Sequence, residues 1–367
     1  MKYIIAIFVL LVATAIAWNS DNSKAAVGFN TGSLPTDSDV YLLRDNQLMH
    51  LDPQTGQTHL VTEFAPLSTV RSTEPDRTER RLYAADIDPA AQYLYQIEVW
   101  GRSSNRRIPN APTGGELVRI DMVTKERQVI SKNTTIFHFV LSPDGQRMIL
   151  FYYDGEFLYS KPRACILDLH SFQCKDLTFD YVRTTSFWID NDTFVISIND
   201  INTLRLVDAV TGSHTTLALP PEWHIYTAAL IPQSNSILVD THPRELVDRI
   251  PPISFLTYDL ETGNVQLLPY TALDTGDYTI VNELQFSPSG DYLLYRGGNV
   301  ALVDFSSGEL IQEFTAVYSA GWLDEHTLLV QGSRHDDALE IMRVDATSKE
   351  VTSLLQGEAA SGILLIP

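Results

Sequence analysis

The sequence predicts an all-β protein, a seven-bladed β-propeller of four-stranded antiparallel blades. A short strand–turn–strand pattern recurs along nearly the whole chain, and no amphipathic helix of about 12 residues or more is evident. The recurring unit is about 40 to 50 residues long, and that period with four short strands per unit is typical of propellers. Six or eight blades are the alternatives.

The unit is best measured by an Asp that is followed three residues later by Ser or Thr. Gly comes directly after the Ser or Thr in four of the copies, and each Asp follows an apolar or aromatic residue. An Asp carboxylate can accept the N–H groups of a tight turn, and Gly can take the positive φ that returns the chain antiparallel. We interpret these residues as structural turn positions: Asp52, Asp121, Asp168, Asp208, Asp259, Asp304 and Asp345.

The first predicted blade has three strands of its own, at 39–44, 47–51 and 58–63. Its missing innermost strand is available at 362–366, so strands from both ends of the chain would close the ring and leave no free inner edge. The turn between first and second strands often contains Pro, as in Ser142-Pro143 and Ser287-Pro288. The other predicted blades span 81–130, 135–178, 183–218, 224–269, 279–315 and 316–356.

The 367 residues are 44% hydrophobic, which is ample for one large domain, predicted at 39–367. Residues 1–17 read as a signal peptide, with Lys2, an apolar run and cleavage near Ala17. Residues 18–38 are interpreted as a flexible lead-in. The expected location is therefore secreted or periplasmic, with no membrane span after cleavage. The alternative is an uncleaved anchor from Tyr3 to Trp18, which is shorter than the roughly 20 residues that span a bilayer.

Two cysteines, Cys165 and Cys174, lie on the strands that flank the Asp168 turn. Pairing Asp168 with Gln173 would place the two cysteines diagonally on one face of the hairpin. In an oxidising compartment we expect a disulfide there, and the alternative is two half-buried thiols.

The repeats resemble a known family. The Ser-Pro-Asp-Gly turn at 142–145 and the Ser-Pro-Ser-Gly turn at 287–290, each followed by a strand and an apolar-Asp-x-x-[Ser/Thr] hairpin, are similar to the WD-like propeller repeats of the TolB type. The propeller domains of dipeptidyl and prolyl oligopeptidases share this style. The resemblance covers about 39–367 and implies a propeller. It transfers no catalytic residue, because the chain contains no Gly-x-Ser-x-Gly motif of the peptidases.

The sequence favours recognition over catalysis. It has no nucleophile-elbow motif, and its nine His residues show no metal-binding spacing, so we predict no metal and no cofactor. A ligand cluster at His335-Asp336-Asp337 is the weaker alternative to a solvated loop there. The net charge of −20 makes a general nucleic-acid binder improbable. An envelope or extracellular hydrolase or lyase, with a site at the mouth of the propeller channel, is the alternative function.

Four long loops, at 64–80, 102–114, 155–163 and 241–252, would project from one face of the ring. They are rich in basic residues for so acidic a chain, and Arg forks suit carboxylate and sulfate groups. We predict that this face binds a protein or an anionic glycan partner. Acidic residues dilute the patch, so solvated loops with no partner are the alternative. The predicted binding residues are Arg77, Arg80, Arg102, Arg106, Arg107, Lys161, Arg163, Arg244 and Arg249, with Arg71 and Arg81 beside them.

The central channel is a second possible site. Its wall would come from the first strands, but which of the two alternating sets of side chains faces the channel depends on the strand register. The candidates are Tyr83, Asp86, His138, Phe187, Tyr226, Glu283, Gln285 and Tyr318.

Overall fold

A computed structural model describes the strands and turns of the chain. The described residues are 40–44, 47–63, 81–90, 92–100, 114–131, 135–153, 162–179, 182–198, 203–221, 223–243, 254–271, 283–296, 300–314, 316–333, 340–356 and 362–365. All regular structure within these ranges is β, in 28 strands that form seven four-stranded antiparallel sheets. The predicted fold class and blade count are confirmed.

Each sheet is one blade, and its strands are numbered here along the chain. Blade 1 is assembled from both ends of the propeller as β28-β1-β2-β3, with bounds β1 (Val40–Arg44), β2 (Gln47–Leu51), β3 (Thr58–Glu63) and β28 (Gly362–Leu365). Blade 2 contains β4 (Arg81–Ile87), β5 (Tyr93–Trp100), β6 (Gly114–Asp121) and β7 (Arg127–Ser131). Blade 3 contains β8 (Thr135–Leu141), β9 (Arg147–Tyr153), β10 (Pro162–Asp168) and β11 (Cys174–Asp176).

The remaining four blades follow the same order. Blade 4 contains β12 (Val182–Trp188), β13 (Thr193–Ile198), β14 (Thr203–Asp208) and β15 (His214–Thr216). Blade 5 contains β16 (Trp223–Leu230), β17 (Ser236–Pro243), β18 (Ser254–Asp259) and β19 (Val265–Thr271). Blade 6 contains β20 (Glu283–Phe286), β21 (Tyr292–Arg296), β22 (Val300–Asp304) and β23 (Leu310–Phe314). Blade 7 contains β24 (Ala316–Trp322), β25 (Thr327–Ser333), β26 (Glu340–Asp345) and β27 (Val351–Gln356).

The first strand of each blade lies innermost, around the channel. Contacts join β28 to β4, β4 to β8, β8 to β12, β12 to β16, β16 to β20, and β24 to β28. The shared blade closes the ring as predicted, because β1 pairs antiparallel with β28, with Val40 opposite Leu365 and Leu43 opposite Gly362.

The strand order gives the ring two different ends. The hairpins between first and second strands and between third and fourth strands all lie at one end, which we call the turn end. The connections from second to third strand, and from fourth strand to the next blade, lie at the other end, which we call the loop end. The long segments 64–80, 101–113, 154–161 and 244–253 therefore begin and end at the loop end.

The core lies between blades. Alternate residues of the second strands face opposite neighbours, so Tyr95 and Ile97 of blade 2 pack in one cluster with Leu141 and Leu150 of blade 3. Trp322 of blade 7 packs in the same way with Leu302 of blade 6. Burial of large apolar side chains contributes about 1.5–3 kcal/mol each, so these seams hold the blades together.

Candidate functional site

The seven turn Asp residues share one pattern of hydrogen bonds at the turn end. In every copy the carboxylate accepts the backbone N–H of the Ser or Thr three residues later, at 2.6–3.2 Å between N and Oδ1. At Asp259 the N–H and the hydroxyl of Thr262 both donate, and these bonds hold the pKa of the carboxyl below its usual value. The pKa is lowered at all seven positions. These carboxylates are satisfied within their own turns, so we assign them a structural role.

The turn end carries a strongly negative charge. Its hairpin turns contain two basic residues, Lys125 and Lys349, among many acids, and Arg147 and Lys175 on the adjoining strands contact neighbouring turns. Lys349 Nζ pairs with Glu309 Oε1 at 2.8 Å, and Lys125 donates to the carbonyl of Met122. The acids are Asp52, Asp88, Asp121, Glu126, Asp144, Asp168, Asp190, Asp192, Asp208, Asp259, Glu261, Asp291, Asp304, Glu309, Asp324, Glu325, Asp345 and Glu350.

The predicted basic residues belong to the loop end. Arg163 is described, and it lies exposed on β10, opposite Tyr152 of β9. The other eight predicted binding residues lie outside the described ranges, as do Arg71, the signal peptide, the lead-in and His335-Asp336-Asp337. The described strands on either side of these segments end at the loop end, and the role of these residues in binding stays a prediction.

The innermost strands carry a repeated irregularity near the loop end. In blades 2, 3, 5 and 7 one extra residue interrupts the pairing of first and second strands, and in blade 4 the irregularity spans 183–185. In all five blades this irregularity lies opposite the fifth residue of the second strand. The residues skipped by the pairing include an aromatic one in four blades, and we call these the aromatic bulge positions: Tyr83, Phe137, Tyr226 and Tyr318.

Phe137 shows how one of these positions is occupied. Its ring is partly buried and lies 4.6 Å from the ring of Tyr153 and 6.3 Å from that of Phe151, measured between centroids. A bulge increases local twist and redirects a side chain, and bulges are common next to binding sites. Phe137 thus places a partly exposed aromatic ring near the loop end of the first strand.

The fifth residue of the second strand divides the blades into two groups. It is apolar in blades 2 and 3, where it is Ile97 and Phe151. It is polar in the next four blades, and we call those residues the polar row: Ser197, Asp240, Arg296 and Gln331. Their partners on the third strands are apolar, namely Leu204, Phe255, Val300 and Ile341. At this register position of these four blades, the second strand is therefore polar and the third strand, which lies farther from the channel, is apolar.

Asp240 connects the polar row to a bulge. It is fully buried at 0% exposure, and its Oδ1 accepts the backbone N–H of Thr227, the residue directly after Tyr226. The bulge removes this N–H from regular ladder pairing, and the carboxylate supplies the missing acceptor. Ser197 and Gln331 are also buried, at 5% and 0% exposure. Buried polar groups cost stability unless they are hydrogen-bonded, and Asp240 meets that requirement through the N–H of Thr227.

The sequence did not identify the polar row, although a signal was present. In four consecutive blades the second strand contains three apolar residues followed by a polar one. Examples are Ile237-Leu238-Val239-Asp240 and Leu328-Leu329-Val330-Gln331.

The channel candidates all lie on innermost strands, as predicted, but they occupy three different positions. Tyr83, Tyr226 and Tyr318 are at the bulges, and His138 and Glu283 each pair with a fifth residue of a second strand. Asp86, Phe187 and Gln285 share a third position. These last three are 5–8% exposed, so they are buried between blades.

Two buried titratable groups on the inner strands have displaced pKa values. Burial raises the pKa of Asp86 to about 8. The N–H of Ile87 donates to Asp86 Oδ1, and this hydrogen bond lowers the pKa but only partly offsets the effect of burial. Burial lowers the pKa of His138 to about 4. At neutral pH both side chains are therefore mainly uncharged, because burial disfavours the charged form of each.

The predicted disulfide is present between Cys165 and Cys174. The Asp168 N–H donates to the Gln173 carbonyl at 3.0 Å, and Leu167 pairs with Cys174, so the two cysteines are diagonal across the hairpin as expected. The described part of the chain contains no group of three or more metal-ligating side chains. It also contains no helix that is long and apolar enough to cross a membrane.

No family model matches the chain, and no curated protein matches it. Solved structures do. An oligogalacturonate lyase in complex with manganese aligns with a TM-score of 0.58 at 10% identity, over 87% of this chain and 93% of the lyase. A putative 6-phosphogluconolactonase from Bacteroides uniformis aligns with a TM-score of 0.55 at 8% identity, over 90% of this chain and 99% of that one.

TolB from Acinetobacter baumannii aligns less closely, with a TM-score of 0.46 at 16% identity, over 90% of this chain and 67% of TolB. Similarities at these identities show a shared fold and nothing further. With the seven four-stranded blades, the predicted TolB-like propeller is confirmed at the level of fold.

Proposed function

We propose that this protein is an extracytoplasmic recognition propeller that binds an anionic partner, a glycan or a protein, at its loop end. The observation that carries this proposal is the difference between the two ends of the ring. The turn end consists of short hairpins whose polar groups are satisfied internally, whereas the loop end receives all of the long basic segments.

The charge of each end supports an anionic partner at the loop end. The acidic turns would repel an anionic chain, and their two Lys side chains are already engaged. The segment 102–107 holds three Arg residues and no acid. Guanidinium groups form paired hydrogen bonds with carboxylates and sulfates, so this segment suits uronate or sulfated chains and acidic protein surfaces.

Location outside the cytoplasm has two supports. The Cys165–Cys174 disulfide is typical of an oxidising compartment. The first 17 residues have the charged start, apolar run and small-residue end of a secretory signal. Periplasmic and fully secreted locations both meet these conditions.

The first glycan probe follows from the fold neighbours. One of them is named an oligogalacturonate lyase, and its substrate is an anionic glycan. Because the likeness extends to the fold alone, it selects a probe and nothing more. Oligogalacturonate and its methyl ester form a matched pair, since the ester keeps the sugar rings and removes the charge.

The test compares two charge-reversal variants of the chain without residues 1–17. Arg102→Glu/Arg106→Glu/Arg107→Glu changes the loop end, and Lys125→Glu/Lys175→Glu/Lys349→Glu makes the same charge change at the turn end. Binding is measured by calorimetry with oligogalacturonate and sulfated oligosaccharides, and by affinity capture from envelope and secreted fractions. We expect the loop-end variant to lose the partner and the turn-end variant to retain it, with both unfolding as single cooperative transitions. Equal binding by both variants, or no partner for the unchanged chain, would overturn the proposal.

A hydrolase or lyase is the second candidate, because three buried polar residues, Ser197, Asp240 and Gln331, lie on second strands opposite the irregularities of the innermost strands. Two fold neighbours are enzymes by name, a lyase and a putative lactonase. Panels of ester, lactone, peptide and glycan substrates separate the two functions. Turnover that is lost on substitution of Asp240 or Gln331 would favour catalysis over recognition.

A further inference from the structure

We propose that the seam between blades 6 and 7 binds one buried water molecule, which bridges the indole N–H of Trp322 and the side-chain carbonyl of Gln285. The site lies near the turn end, because Gln285 is the last residue but one of β20 and Trp322 is the last residue of β24. Its occupancy is therefore independent of the partner proposed for the loop end.

Two buried polar atoms in this seam have no hydrogen-bond partner within the described part of the chain. Trp322 is 2% exposed, and its Nε1 donates to no acceptor there. Gln285 is 5% exposed, and its Oε1 accepts from no donor there. One atom is a donor and the other is an acceptor. Because an unsatisfied buried polar group is costly, each of them requires a partner.

The strand pairing places both atoms in the same seam. Gln285 pairs with Leu294 of β21, and directly paired residues of an antiparallel ladder project from the same face of the sheet. Leu294 packs in one cluster with Trp322 and Leu328 of blade 7. The side chain of Gln285 therefore projects from blade 6 towards blade 7, into the seam that contains the indole.

The seam between blades 3 and 4 is a matched case without the polar side chain. Trp188 stands there in the place of Trp322, since each ends a first strand and precedes an Asp-containing turn. Val140 stands in the place of Gln285, since each lies two residues before the Ser-Pro pair of its blade. Trp188 Nε1 donates to the Val140 carbonyl at 3.1 Å. Where Gln replaces Val, the equivalent indole lacks this direct hydrogen bond.

Water is the ligand whose chemistry fits both atoms. Its oxygen accepts from the indole N–H of Trp322, and one of its hydrogens is donated to Gln285 Oε1. A cation cannot accept from an N–H group, and an anion without hydrogen cannot donate to a carbonyl oxygen. An apolar ligand would leave both atoms unsatisfied. Gln285 lies on an innermost strand, beside the channel, so solvent is close to the site.

The indole N–H of Trp322 reports on the site in solution. In the chain without residues 1–17, labelled with nitrogen-15 at tryptophan, we expect a nuclear Overhauser effect between this N–H and water. Trp188 is the matched control and should show none, because its N–H donates to a main-chain carbonyl. Trp322→Phe and Trp188→Phe assign the two signals. The absence of the effect at Trp322, or an equal effect at both indoles, would overturn the proposal.

Two variants identify the source of the signal. Gln285→Met removes the acceptor with a side chain of similar size and should abolish the effect; a signal that persists shows that Gln285 holds no water. Tyr292→Phe should leave the effect unchanged, although the ring of Tyr292 stacks on Trp322 at 6.2 Å between centroids. A signal lost in Tyr292→Phe comes from the tyrosine hydroxyl and contradicts the proposal.

A crystal structure of the unchanged chain decides the same point if a variant does not fold. We expect a water oxygen at about 2.7–3.2 Å from both Trp322 Nε1 and Gln285 Oε1. A direct hydrogen bond between the two side chains, or a seam without this water, would show that the proposed bridge does not exist.

Discussion

The outer hairpins and the innermost strands of this propeller follow different rules. The seven hairpins between third and fourth strands are near copies, each with an Asp that accepts the same N–H groups and a residue at positive φ four positions later. The seven innermost strands share a position in the ring but differ in sequence, in bulges and in buried polar groups. Repetition therefore marks what the fold needs, and departure from it marks where a function is placed.

The largest effect should come from adding one methyl group to an outer hairpin. Gly308 has φ +73°, and a Cβ built on it would lie 2.4 Å from the ring of Tyr270. Gly308→Ala should lower the free energy of unfolding by about 3 kcal/mol, through backbone strain and overpacking together. Gly263→Ala is the control, because its φ is the same within 1° but its nearest contact is 3.5 Å away, at Tyr258 Oη. The control should lose about 1 kcal/mol in urea unfolding, and equal losses would contradict the packing argument.

A smaller effect should distinguish an inner-strand Asp from a hairpin Asp. The raised pKa of Asp86, about 8, means that the contribution of Asp86 to stability is greatest below about pH 4 and falls as pH rises from about 4 through about 8. Asp86→Asn should remove this loss and stabilise the protein by roughly 2 kcal/mol at pH 8, but much less at pH 4. Urea unfolding at both pH values measures it.

Asp52→Asn is the matched substitution in a hairpin. The pKa of Asp52 is lowered by the hydroxyl of Thr55 and the turn N–H groups, so its carboxylate stabilises the fold at neutral pH and stops doing so as pH falls through the lowered pKa. The variant should therefore be less stable than the unchanged protein at neutral pH. Two Asp→Asn changes with the same sign at pH 8 would contradict the contrast between the two regions.

The smallest effect should be a gain of stability in a hairpin that lacks Gly. Lys349 holds φ 63° at the position where four other hairpins use Gly. Lys349→Gly should stabilise the protein by about 0.5 kcal/mol. Gly relieves the strain of the left-handed backbone, and this gain exceeds both the entropy that Gly loses on folding and the small contribution of the surface ion pair with Glu309. Lys349→Ala loses the ion pair without relieving the strain. It should show no gain, and a gain equal to that of Gly would rule out the backbone explanation.

The hairpins could be predicted from sequence because their rules are local. An Asp, a hydroxyl residue and often a Gly lie within five residues, and the observed strands β2 and β3 have the predicted bounds. The diagonal placement of Cys165 and Cys174 followed from one such turn. The shared blade was predictable because the first blade had only three strands, and one unassigned apolar strand remained at 362–366.

The inner strands could not be predicted in the same detail, because their geometry depends on pairing between distant residues. Side chains alternate between the two faces of a strand, and each bulge shifts this alternation by one residue. Counting along the strand from Tyr83 to Asp86 therefore does not show on which face each residue lies. The acceptor role of Asp240 appears only when Thr227 is placed beside it. A comparison of the fifth residues across all second strands would have found the polar row.

The shared blade has a consequence for how the chain becomes a folded protein. Because β1 pairs with β28, the first and last strands of the propeller meet only after everything between them has been made. Contacts between such distant segments form slowly, since a long loop must close first. During synthesis the earlier blades would form an open arc, and the ring would close only after β28 has been made. Under the proposed extracytoplasmic location, this order would let the chain cross a membrane before the ring closes.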